Sequence, residues 1–416
     1  MLLRSLLPLL GSLTSAACAH ADGSPLEPAV EAPAHPIASA HPVLAVDEDA
    51  VAPETCAEGS GAIACASFTP GQPIHHLAMA VSGGSIGIAW TTDGNGSWVH
   101  SAQPGPAHFM VLDERLEPVH RIELGTAARD VTLAPRRSGW AVVVSDGEQV
   151  LVQYVDRGGE PEGPSLRIGE WQAPLAVAND RDELLLVHSG VVDGRQATRA
   201  TLLTSLYGGP MRDQVLMEGT VEPRFGSAAL VQDAFLVALR GRDGVEVARV
   251  GFDGRVTARH TQVGDSTEYP KLASCGRDAR MVWADFSERG QMRWARLDEE
   301  GGTDGELVTL GGIPDYFDPS PVTCDGARSF VLLNGYTGGT GVASRLDLVQ
   351  VDEHGRAGRA VTVRRPGPGP GVYDSRIDRR GDELVVAWLG LQGSIGVARL
   401  APPPAPEAEG GPSLAR

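Results

Sequence analysis

Between residues 74 and 400 the hydrophobic positions fall into short runs separated by Gly and Asp turns, and the order repeats seven times at a period of roughly 50 residues. Each repeat holds one strongly apolar run: Ile86–Trp90, Trp140–Val144, Leu184–Val187, Phe235–Leu239, Met281–Trp283, Phe330–Leu333 and Leu384–Trp388. These runs are apolar on successive residues, the mark of a strand buried on both faces. The third strand of most repeats closes on an acidic or Gly turn, at Asp113-Glu114, Asp156–Gly159, Asp253-Gly254, Asp298–Gly301 and Asp352–Gly355. Asp and Gly tolerate the dihedrals of a hairpin turn. The third repeat departs, with Leu206–Pro210 in that place. One such unit cannot bury its own apolar faces, so the units must stack on one another. The pattern predicts an all-β chain folded as a seven-bladed β-propeller.

The seventh repeat ends after three strands, at Ile395–Leu400, and a short apolar segment, Ala62–Phe68, precedes the first. Pairing these two segments completes the last blade and removes two open sheet edges, so the ring is expected to be closed by an N-terminal strand. The propeller then occupies residues 61–402. Residues 20–60, rich in Ala and Pro, read as a disordered tether, and residues 403–416 as a disordered tail.

Residues 1–19 read as a signal peptide. Arg4 supplies a positive start, Ser5–Leu13 a short apolar segment, and Ala16, Ala17 and Ala19 the small residues of a cleavage region. The apolar segment is too short to cross a bilayer as a helix. Two processing routes fit. Ser15-Ala16-Ala17-Cys18 places a cysteine after two small residues, as a lipoprotein signal ending before Cys18 would, although Ser15 stands where such signals carry Leu. Ordinary cleavage after Ala17, Ala19 or Ala21 is the other route. Either one predicts an exported protein: periplasmic, an outer-membrane lipoprotein with Cys18 as its lipidation site, or extracellular. The net charge of −18 argues against nucleic acid and anionic membrane surfaces as partners, leaving a lipid anchor as the expected route to a membrane. The same acidity favours a soluble monomer.

Cys275–Trp283, Cys324–Leu333 and Asp382–Trp388 resemble the degenerate repeat of secreted bacterial β-propeller proteins. In that repeat a Cys-Asp-Gly or Ala-Asp-Gly turn precedes a Leu-Val-Val-Trp strand. The resemblance covers most of residues 62–400. It implies architecture alone and carries no catalytic residues onto this chain.

Candidate chemistry is sparse. Thr91–Trp98 resembles the Asp-box turn of sialidases, with Asn95 where the central Gly stands, but that turn is structural. A sialidase-like site also needs three Arg on a carboxylate, a Tyr/Glu nucleophile pair and an acid; Arg224, Arg376, Tyr373 and Glu222 are the assembly this chain offers. Asp93–Ser97 begins like a calcium loop, but Pro104 stands where its acidic ligand belongs. His75 and His76 are consecutive on a strand, so they are expected on opposite faces, which disfavours a shared metal. His76, Arg129, Arg224, Lys271 and Arg376 begin strands, but they fall out of phase when the repeats are aligned on their apolar runs, so no cationic funnel is expected. No cofactor is predicted. The expected function is a non-catalytic binding or scaffolding module at the cell envelope, with a protein or glycan partner; the alternative is a sialidase-like or other glycoside-hydrolase propeller enzyme.

Five cysteines are an odd number for an exported chain. With Cys18 removed or lipidated, four remain to pair. Cys56 and Cys65 flank the start of the closing strand, and Cys275 and Cys324 lie one repeat apart at matching places in adjacent blades. The expected disulfides are Cys56–Cys65 and Cys275–Cys324.

Overall fold

The computed structural model describes residues 56–93, 104–168, 172–204, 212–218, 226–263, 267–286, 291–312, 321–336, 343–364, 372–390 and 393–406. All of them belong to the unit Val51–Arg416. Among them every helix or strand element is a strand. Blade 1 contains β2 (Ile74–Ser82), β3 (Ser85–Asp93), β4 (Pro104–Leu112) and β5 (Pro118–Ala128). Blade 2 contains β6 (Asp130–Pro135), β7 (Gly139–Ser145), β8 (Val150–Asp156) and β9 (Leu166–Arg167). Blade 3 has β10 (Gln172–Ala178), β11 (Leu184–Val192), β12 (Arg195–Leu203) and β13 (Arg212–Glu218). Blade 4 has β14 (Ser227–Val231), β15 (Ala234–Arg240), β16 (Gly244–Gly251) and β17 (Val256–Val263). Blade 5 has β18 (Thr267–Ser274), β19 (Ala279–Asp285), β20 (Gln291–Leu297) and β21 (Val308–Gly312). Blade 6 has β22 (Val322–Asp325), β23 (Arg328–Tyr336), β24 (Ala343–Val351) and β25 (Val361–Arg364). Blade 7 is built from β26 (Val372–Arg380), β27 (Glu383–Gly390), β28 (Ile395–Leu400) and, from the other end of the chain, β1 (Ala62–Phe68).

The first strands β2, β6, β10, β14, β18, β22 and β26 neighbour one another in a ring, with β26 back against β2. The protein is therefore a seven-bladed β-propeller. β1 pairs antiparallel with β28 from Ala62–Leu400 to Phe68–Ile395, which is the closure expected from the unpaired apolar segment.

The apolar core is divided into seven clusters, one at each seam between neighbouring blades. In β3, Ile86, Ile88 and Trp90 pack toward blade 7 while Ala89 packs toward blade 2, which explains a strand that is apolar at every residue. Aligned on the hairpin that joins first and second strands, Trp90, Val144, His188, Leu239, Trp283, Leu333 and Trp388 occupy one position. The large indoles need room. A Cβ on Gly396, opposite Trp388, would lie 2.1 Å from that ring, and one on Gly87 would lie 2.7 Å from Trp140 of the next blade. Blade 3 puts His188 in this position. It is fully buried, its Nε2 lies 2.9 Å from Thr201 Oγ1, and burial pushes its pKa down to about 3.

The acidic turns are held by their own side chains. Asp156 Oδ1 accepts the N–H groups of Gly158 and Glu160, and Asp113, Asp298 and Asp352 repeat the arrangement. The next-to-last turn residue has positive φ and sits against the preceding blade. Gly355 (φ 80°) has no room for a Cβ, which would lie 2.3 Å from Val308. In blade 1 this place is filled by Leu116 (φ 64°), whose side chain is buried in the seam with blade 7.

An innermost strand leaves backbone N–H groups on its free edge, and side chains from the preceding blade satisfy some of them. Ser227 Oγ accepts the Leu272 N–H at 3.0 Å between blades 4 and 5. Asp378 Oδ2 accepts the Val81 N–H at 2.7 Å, joining the last blade to the first. Desolvation raises the Asp378 pKa to about 6. A disulfide, Cys275–Cys324, joins blades 5 and 6 with Cα atoms 5.3 Å apart.

The second disulfide, Cys56–Cys65, has Cα atoms 6.0 Å apart and fixes β1 to the segment before it. That segment corrects the expected tether boundary at residue 60. Ala57 is buried and donates its N–H to Val363 O at 2.7 Å, so residues 56–60 belong to the folded unit. The tail boundary moves as well: Pro403 is buried, and Pro404 and Pro406 lie against Gly358. Both segments lie beside β25 and the turn that leads into it, where a four-residue outer strand gives blade 6 little cover of its own. Cys18, the remainder of the tether and residues 407–416 lie outside the described residues. Two disulfides are the chemistry of an oxidising compartment.

Candidate functional site

The chemistry concentrates where the innermost strands begin, at one mouth of the ring. The residue that follows the Trp90 position on each second strand marks one height there. His76 pairs with Thr91, Asp130 with Ser145, Gln172 with Ser189, Glu268 with Ala284 and Asp374 with Leu389. Five blades thus place a polar residue at the same height, three of them acidic. The His76 Nε2 lies 3.2 Å from Asp130 Oδ1 across the seam between blades 1 and 2, with both side chains half-buried. Asp374 pairs with Arg376 of its own strand, whose Nη1 also donates to Ser375 O at 2.7 Å.

Irregular backbone accompanies this height. β2 is bulged between Ile74 and His76, and β26 between Val372 and Asp374, making His75 and Tyr373 the extra residues. β10 and β18 are bulged one step further in, at Ala173-Pro174 and Tyr269-Pro270. Tyr269 has φ 54° ahead of a proline, a conformation that costs a bulky residue about 1–3 kcal/mol. Bulges re-aim side chains and end regular pairing.

The bulge corrects the reading of His75 and His76. Their rings lie 4.4 Å apart, since the extra residue breaks the strict alternation of faces. Among the described residues no group of three or more His, Cys, Asp or Glu is arranged to hold a metal ion. The basic residues do not all share one height: His76, opposite Thr91, stands two residues further from the first hairpin than Lys271 and Arg376. Aligned on the first hairpin, Lys271 and Arg376 share a height, opposite Val282 and Ala387. They form no bare cationic ring: Arg376 is paired with Asp374, and Lys271 Nζ donates to Gly226 O at 3.4 Å. Arg129 lies between blades 1 and 2, with its N–H on Ser145 O.

No protein-family model matches this sequence.

No curated protein matches it either. Several solved structures align with it. The propeller of Dos1 aligns with 9% identity over 82% of this chain and 95% of that one, with a TM-score of 0.47. The WD40 domain of Toxoplasma gondii coronin aligns with 14% identity over 88% of this chain and 95% of its own, TM-score 0.45. The polysaccharide lyase Uly1 aligns with 9% identity over 79% and 90%, TM-score 0.49.

Arg376 and Tyr373 of the sialidase-like assembly both stand on β26 at this mouth. Arg224 and Glu222 lie outside the described residues, as do residues 94–98 of the Asp-box resemblance and most of the calcium-like loop.

The opposite mouth carries a second charged cluster with a different character. A shallow depression of about 670 Å³ is lined by Arg137, Ser138, Asp156, Arg157, Gly158 and Asp182. Beneath it the buried Arg136 stacks 4.5 Å from the Tyr154 ring and pairs with Glu162 at 3.0 Å and Asp182 at 3.5 Å. Arg137 donates its N–H to Asp182, and Arg157 donates to Arg137 O. These groups tie blades 1 to 3 together and are spent on that structural role.

Sequence reasoning missed the polar height because it aligned repeats on their apolar runs. Alignment on the first hairpin, which the chain must close before the run begins, brings His76, Asp130 and Asp374 into register.

Proposed function

We propose that this protein is an exported, non-catalytic binding module that takes its ligand at the mouth where the innermost strands begin. The observation that carries the reading is the alignment of His76, Asp130, Gln172, Glu268 and Asp374 at one height around the ring. A scaffold with no ligand there has no need to gather polar residues from five separated repeats. The partner belongs to the cell envelope, and export is supported by the disulfides and by the N-terminal sequence. The protein acts as a monomer, with lipid at Cys18 or ordinary signal cleavage deciding whether it is anchored.

The test is retention of purified mature protein on envelope fractions, peptidoglycan and a glycan array. The double variant His76→Ala/Asp374→Ala should lose retention, while Arg157→Ala on the opposite mouth should keep it. Retention unchanged in the double variant would overturn the site.

One observation favours a second reading. Asp130 and Asp374 put two acidic residues at one height, and glycoside hydrolysis is carried out by paired carboxylates. Turnover of aryl glycosides that disappears in Asp374→Asn would establish this reading in place of the first.

A further inference from the structure

We infer that the ring opens first at blade 6, and that the two disulfides are redox-sensitive clasps holding this blade, one at each of its edges. Blade 6 is short at both edges. Its innermost strand β22 has four residues, whereas the other innermost strands have between five and nine. Its outermost strand β25 also has four residues, and its pairing with β24 is irregular between Leu346 and Asp347. The middle strands β23 and β24 have nine residues each and supply apolar residues to the seams on both sides. Edges with few ladder hydrogen bonds are where local opening begins.

Both disulfides reach blade 6, from opposite sides. Cys324 lies within β22, and its bond to Cys275 ties that strand to the first turn of blade 5. The neighbouring Asp325 pairs with Arg379 of blade 7 at 3.1 Å, and Arg379 Nη1 donates to Cys324 O at 3.0 Å. At the other edge, Ala57 donates its N–H to Val363 O of β25, and Cys56 beside it packs on the seam with blade 7. The bond from Cys56 to Cys65 fastens this cover to β1. A cross-link restricts the opened state, so breaking it raises the population of that state.

The two bonds differ in access. Cys65 is exposed, Cys56 and Cys275 are half-buried, and Cys324 is buried. Reduction by a dithiol therefore starts at the outer edge. A thiolate of the dithiol attacks Cys65 Sγ, the S–S bond breaks, and Cys56 leaves as a thiolate that takes up a proton. The second thiol of the reductant then displaces Cys65. Two electrons have passed to the protein, both cysteines end as thiols, and the reductant leaves as its own disulfide. The same exchange at Cys275–Cys324 follows and releases β22.

The experiment is amide hydrogen exchange read by mass spectrometry on the mature full-length protein, oxidised and after incubation with dithiothreitol. Alkylation of the same samples counts the thiols. After reduction, amides of residues 322–325 and 361–364 should exchange about tenfold faster or more, while those of β2 and β14 keep their rates. Cys56→Ser/Cys65→Ser should loosen β25 alone, and Cys275→Ser/Cys324→Ser β22 alone. The variant lacking all four cysteines should not respond to dithiothreitol. Where a variant fails to fold, reduction of the folded native protein still decides the matter. Acceleration spread evenly over all blades would overturn the inference, as would acceleration that begins at β2. So would rates unchanged in blade 6 once the thiols have appeared, or a Cys275–Cys324 bond that resists the dithiol in the folded protein.

Discussion

Two titrating residues oppose one another inside this fold. His188 fills a position that is Trp, Val or Leu in the other blades, and burial lowers its pKa from 6.5 to about 3. Its folded pKa lies below the unfolded one, so its contribution is full above pH 6.5 and is lost as pH falls toward 3. The slope is about 1.4 kcal/mol per pH unit within that window. Asp378 has the opposite sign. Its pKa rises from 3.8 to about 6, so the native state gains as pH falls from about 6 toward 3.8. The two trends offset each other in the native protein. His188→Leu should therefore gain stability on acidification relative to its own value at neutral pH, although the orphaned Thr201 hydroxyl lowers that value by about 1–3 kcal/mol. Asp378→Asn should instead become more acid-labile than the native protein. Denaturant unfolding at a series of pH values between about 4 and 7 reads both slopes, and parallel curves for all three proteins would refute the assignment.

At the scale of the element, β1 is the piece on which closure depends. It pairs six residues of β28 and carries Cys65 within the pairing, while Cys56 packs against the seam between blades 6 and 7. Without β1, the outer edge of β28 offers unpaired backbone to any other chain. The Cys56–Cys65 loop is short, so the chain-entropy model assigns the bond about 2–3 kcal/mol. Cys56→Ser/Cys65→Ser should lower stability by that amount and leave a folded ring, because the β1–β28 pairing persists. Deleting residues 56–68 should produce aggregation visible by light scattering. A monomeric, cooperatively unfolding deletion product would show that six blades and three strands suffice.

For the molecule as a whole, seven seams of similar size replace a single core, and the covalent links fall at two places in the ring. One lies between blades 5 and 6, the other at the closing strand. The mature protein, unfolded without reductant, should yield no free thiol from Cys56, Cys65, Cys275 and Cys324. It should sediment as a monomer beforehand. Two or more titratable thiols would break one of the pairings, and a concentration-dependent sedimentation coefficient would refute the monomer.

The sequence by itself determined the number of blades, the identity of each second strand, the closing strand and the cysteine partners. Each of these follows from local pattern: continuous apolar runs such as Leu384–Trp388, acidic turns such as Asp156–Gly159, and an apolar segment at Ala62–Phe68 left without a partner. Only the tertiary structure decided where the polar residues meet. His76 and Asp130 belong to different repeats, and their contact depends on ring geometry that no repeat encodes alone. The extra residue at His75 shifts the pairing and brings its ring to that of His76, and a bulge follows from strain and packing that single-residue patterning does not carry. The same holds for residues 56–60 and 403–406, whose Ala and Pro content reads as linker. They are fixed because blade 6 ends in a strand four residues long, a fact of packing in three dimensions.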